Sequence, residues 1–142
     1  MSLPTARGIN PFPDDLDGKA AQDHFLGKSH DDAVAFFSDA FEIYQEDLLF
    51  MGPLAFCFYL PAAIQYAESP DAANDAYVAD TMLTIMKRRW ESESKEIQSA
   101  RDAMLRYCEG VLERLAAIDV DPHVDGDLEG PFCDFIRELR VV

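Results

Sequence analysis
The chain has 142 residues, 49% of them apolar, with 27 Asp or Glu against 12 Lys or Arg and a formal charge of −15. That length suits one domain that buries a core without cross-links, and ten Phe argue against intrinsic disorder. So large a negative charge disfavours nucleic acid and membrane surfaces, and it attracts basic partners.

Residues 1–18 read as an extended N-terminal arm, with Pro4, Gly8, Pro11 and Pro13 followed by Asp14, Asp15 and Asp17. Residues 19–142 read as a single helical domain. A short helix is expected from Lys19 to Leu26, stopped by Gly27. Ser29 then opens a stronger helix, with Asp31 and Asp32 in the first turn, where the helix dipole favours anions. Ala33, Phe36, Phe37, Ala40, Phe41 and Tyr44 recur at three and four residues and give it an aromatic face.

Gly52-Pro53 predicts a break and a helix start, and Pro61 predicts a kink in that helix or a new turn after Tyr59-Leu60. The run Leu48 to Ala67 is uncharged and long enough to span a bilayer. It holds Gly52, Pro53, Pro61 and Gln65, and acids rather than Lys or Arg flank it, so it reads as a buried central segment. Ser69-Pro70-Asp71 predicts an N-cap, a first-position proline and a first-turn acid for a helix reaching Trp90 or a little beyond.

A second long helix is expected from Ser94 to Ile118, where Ile97, Met104, Cys108, Val111, Leu115 and Ile118 form a seam at near-heptad spacing. Gly130-Pro131 starts a last short helix on Phe132, Phe135, Ile136 and Leu139. No segment alternates with period two for long enough to read as a strand. The expected fold is all-α, a compact antiparallel bundle of five or six helices.

Charge is uneven along the chain. From Ser29 to Met86 stand Asp31, Asp32, Asp39, Glu42, Glu46, Asp47, Glu68, Asp71, Asp75 and Asp80, without one Lys or Arg. Lys87, Arg88, Arg89, Lys95, Arg101, Arg106 and Arg114 come next, interleaved with acids as on a solvated helix face. Lys87-Arg88-Arg89 could instead pair with the acidic half. Trp90 could be an interface anchor or a core edge.

Chemistry-bearing motifs are weak. Asp121, His123, Asp125 and Gly126 resemble the start of a calcium loop, but the twelfth position is Phe132 where a bidentate Glu is needed. His24, His30, Asp31 and Asp32 lack a spacing that sets two ligands on one helical face. Glu42, Glu46 and Asp47 stand near Tyr44, Tyr59 and Tyr66, where desolvation could raise a carboxyl pKa, yet no nucleophile or phosphate loop accompanies them. Phe50, Phe56, Phe58, Tyr59 and Tyr66 read as core before cavity lining. No catalytic residue, metal or cofactor is assigned. Cys57, Cys108 and Cys133 form no close pair and read as reduced thiols. With no basic-then-apolar leader visible, the expected compartment is the cytoplasm.

The segment Tyr44-Gln45-Glu46-Asp47-Leu48, continuing through Met51-Gly52-Pro53 to Phe58-Tyr59-Leu60-Pro61-Ala62, resembles small uncharacterised bacterial proteins that share an fMGP…FYLPA core. That resemblance implies a bacterial origin and no activity. In size, charge and lack of catalytic machinery the chain is also similar in type to the acidic immunity proteins that neutralise bacterial toxins. The first expectation is therefore a non-enzymatic inhibitor that occludes a basic protein, with Glu42, Glu46, Asp47, Asp71, Asp75 and Asp80 as the partner-binding residues. The second is a small helical enzyme or ligand-binding protein using a Tyr- and Glu-rich centre. The third is a structural oligomer, with the seam from Ile97 to Ile118 as a dimer face.

Overall fold
In the computed structural model, which describes residues 2–118 and 126–141, the chain is all-α. Its helices are α1 (Ala6–Ile9), α2 (Leu16–Phe25), α3 (His30–Tyr44), α4 (Asp47–Phe50), α5 (Pro53–Ala67), α6 (Ala76–Glu93), α7 (Arg101–Glu113) and α8 (Glu129–Arg140). Gln98–Ala100 and Leu115–Ala117 add short 3₁₀ turns. Eight helices among the described residues exceed the expected five or six, because α1 and α4 are single turns too short to show a period. Among the described residues no helix is long and apolar enough to cross a membrane.

Local chemistry explains most boundaries. The C-terminus of α2 is closed by Gly27, whose φ of 77° an L side chain would resist. The Tyr59 hydroxyl lies 2.8 Å from the carbonyl oxygens of both Phe25 and Lys28, so a side chain from α5 serves the end of α2. A full capping box starts α3: the Ser29 Oγ accepts from the Asp32 N–H at 3.1 Å, and the Asp32 carboxylate accepts from the Ser29 N–H at 2.9 Å. Ala40 (φ −154°, ψ 68°) interrupts α3 and redirects its last turn.

Pro53 occupies the first turn of α5, as its sequence predicts. The helix continues through Pro61, which is exposed and forfeits one rung of the ladder on the side open to solvent. Its buried face, with Ala55, Phe56, Tyr59, Leu60, Ala63 and Ala67, is the centre of one continuous core reaching from Ile9 to Leu139. α3 makes the most extensive packing against it.

Three expectations are corrected. The helix after Ser69 starts at Ala76 instead of Pro70. The Ser69 carbonyl accepts from the Ala72 and Ala73 N–H groups, tightening residues 69–75 into turns, and Asp75 takes the cap by accepting from the Tyr77 N–H at 2.9 Å. The single helix over Ser94–Ile118 is broken. Ile97 leaves helical geometry (φ −114°, ψ 23°) to bury its side chain, and Arg114 ends α7 as its Nε donates to the Ala73 carbonyl at 2.9 Å. The N-terminal arm carries a helical turn: Thr5 caps α1, Ile9 is fully buried, and the Gly52 N–H donates to the Ile9 carbonyl at 2.8 Å.

The heptad seam faces the chain's own core, since Ile97, Met104, Cys108, Val111 and Ile118 are all buried. Burial pushes the Cys108 thiol up to about 12, so it stays protonated and inert. Cys57 and Cys133 are half-buried free thiols.

Candidate functional site
The six acids expected at a partner surface divide into two settings. Asp47 is 4% exposed, and its carboxylate lies 2.6 Å from His24 Nδ1. It is a buried structural acid and leaves the exposed set. Desolvation pushes its pKa up against the opposing pull of His24. Glu46 is exposed nearby, and its charge acts on Asp47 in the same direction as burial.

Glu42, Asp71, Asp75 and Asp80 are all exposed. The first three act on one phenol. Burial raises the Tyr66 pKa, and the charges of Asp75, Asp71 and Glu42 raise it further. Three different stretches supply them: the last turn of α3, the turns after Ser69, and the cap of α6. Phe41, directly after the Ala40 kink, reaches the same phenol. Phe41 packs on Tyr66 with ring centroids 5.4 Å apart and meets Tyr77 edge-on at 6.2 Å. Tyr77 is 49% exposed although large and aromatic. Asp80 stands three residues after Tyr77 on α6, the spacing of neighbours on one helix face.

The result is a surface in which exposed acids accompany the aromatic cluster of Phe41, Tyr66 and Tyr77. Among the described residues no Lys, Arg or His nitrogen lies within ion-pair distance of Glu42, Asp71, Asp75 or Asp80. Tyr77 lay outside the sequence-based expectations. Its signal is its place in the first turn of α6, between the buried Ala76 and Val78, off the buried stripe.

Other chemistry-bearing groups are accounted for structurally. A buried carboxylate holding a histidine is half of an acid–base triad. Yet His24 has no hydroxyl or thiol partner among the described residues, and its ring instead meets Tyr44 edge-on at 5.1 Å. Arg89 is 5% exposed and donates to the carbonyls of Leu49 (3.0 Å) and Met51 (2.6 Å), with Glu93 at 3.3 Å and the Phe56 ring at 4.8 Å. Of the basic triplet, Arg89 alone is bonded this way among the described residues, and its partners between Ser29 and Met86 are backbone oxygens at the end of α4 rather than carboxylates. Burial lowers the Arg89 pKa, opposed by Glu93. Trp90 is a core edge, partly buried against the cluster.

Among the described residues no group of three or more His, Cys, Asp or Glu could hold a metal ion. The calcium-loop pattern beginning at Asp121 lies largely outside the described residues. No family model, curated protein or solved structure matches the chain, so the functional reading rests on the geometry of this surface.

Proposed function
We propose that the chain is a non-enzymatic, acidic protein-binding module whose Glu42, Asp71, Asp75 and Asp80 face, built around Tyr66 and Tyr77, engages a basic protein. The best-fitting role is that of an immunity-like inhibitor, covering a site that its partner uses for an anionic substrate. The observation that carries this reading is the action of three exposed carboxylates on one phenol beside an exposed tyrosine. Carboxylates steer and orient an incoming Lys or Arg surface. Tyrosine rings accept a guanidinium on their faces and supply rigid anchoring area.

The test is a triple variant, Glu42→Gln, Asp71→Asn and Asp75→Asn. Asn retains the α6 cap and the volumes change little, so the fold is kept while three charges are lost. Association with the partner at low salt should slow at least about tenfold, and its salt dependence should flatten. Unchanged association at low salt would remove the electrostatic mechanism.

A further inference from the structure
A separate feature lies between α5 and α7. Pro61, Ile64 and Gln65 on α5 and Glu68 at its C-cap line, with Ala103, Arg106 and Tyr107 on α7, a groove of about 480 Å³. That volume is within the range of about 300–1,000 Å³ typical of small-molecule sites. Glu68 approaches Gly110, its carboxylate 3.7 Å from where a Cβ would stand. Pro61, Ile64 and Ala103 supply apolar lining, and Glu68 and Arg106 supply charge.

Tyr107 is the anomaly. It is 1% exposed, yet among the described residues its hydroxyl has no hydrogen-bond partner. Such an orphaned donor costs about 1–3 kcal/mol and is uncommon in folded proteins. Burial pushes its pKa well up, so it remains an O–H donor, with Arg114 pulling the other way and Glu68 adding to the rise. Arg106 is exposed and has no carboxylate within ion-pair distance among the described residues.

The groove therefore offers two donors for a carboxylate, one carboxylate for an ammonium, and an apolar strip. We propose that it binds an apolar α-amino acid, whose carboxylate takes the Tyr107 hydroxyl and Arg106, whose ammonium pairs with Glu68, and whose side chain lies along Pro61, Ile64 and Ala103. The phenol oxygen has under 1 Å² of exposure in the free chain, so on this proposal the exposed side chains of Glu68 and Arg106 swing aside to admit the ligand and then close on its ammonium and carboxylate. This site is independent of the acidic face.

The experiment is a titration of the full chain, monitored by ¹H–¹⁵N NMR, with L-leucine, L-phenylalanine, isopentylamine and 4-methylpentanoate. Either amino acid should shift the amides of Ile64, Gln65, Ala103 and Tyr107 saturably, and the amine and the acid should each bind at least about tenfold more weakly. Tyr107→Phe should weaken amino-acid binding about tenfold while melting at or above the wild-type temperature, since the hydroxyl has no partner to lose. Arg106→Met, at an exposed position that folding does not need, should weaken it similarly. Four results would overturn the proposal: no saturable shift up to about 10 mM, equal binding of the two half-molecules, unchanged affinity in Tyr107→Phe, or shifts confined to the groove lined by Leu54, Cys57 and Phe58. A lower melting temperature for Tyr107→Phe would show an internal partner and remove the premise.

Discussion
A buried cation, Arg89, joins α6 to the end of α4. Its guanidinium supplies hydrogen bonds to the Leu49 and Met51 carbonyls that no backbone group provides. Arg89→Met keeps the packing on Phe56 but orphans those oxygens, and it should cost about 2–4 kcal/mol in chemical denaturation. Arg89→Lys should fall between the two, because one ammonium cannot reproduce the planar fork. The spacing Met82, Ile85, Met86, Arg89 places this arginine on the buried stripe of α6, a period legible in the sequence although the charge pattern assigned it to a solvated helix face. Its partners were not legible, since nothing local tells a carbonyl forty residues away that it will lack a donor. Asp47 is the same case: residue type suggested surface charge, and the tertiary fold brought His24 to it.

Helix starts that depend on a few neighbouring residues were readable, and those decided by competition were not. The Ser29 cap is of the first kind. Ser29→Ala should destabilise by about 1 kcal/mol. Asp32 has its pKa lowered by the backbone N–H and hydroxyl of Ser29, so its contribution is present above the ordinary carboxylate value and is lost as pH falls through the lowered one. Asp32→Asn should therefore melt below wild type at neutral pH, and the gap should close in acid. Ser69 and Asp75 show the second kind, because both are good caps and only the turns after Ser69 decide between them. The N-terminal turn was hidden by its prolines and by the remoteness of its partner. A Cβ at Gly52 would stand 2.2 Å from the Gly8 carbonyl oxygen. Gly52→Ala should thus detach residues 2–10 and be read as faster amide exchange at Asn10 and at residue 52, whose N–H bonds the Ile9 carbonyl.

For the whole molecule, composition and period sufficed for the all-α class, and the acidic stretch from Ser29 to Met86 pointed to where negative potential would gather. What remained illegible was convergence. Glu42, Asp71 and Asp75 are separated in sequence by turns and a kink, and Phe41 meets Tyr66 and Tyr77 only through the tertiary fold. On the proposed reading this face is the working surface, and long-range charge is its means of selecting a partner. The most direct measurement is capture of a partner from lysate of the source organism by the wild-type chain and by the Glu42→Gln, Asp71→Asn, Asp75→Asn variant. Both are run at low salt and at about 0.5 M, where screening shortens to about 4 Å. The expected result is one stoichiometric basic protein held by the wild type at low salt, released at high salt, and lost by the variant. A partner held equally by both chains at both salts would contradict it.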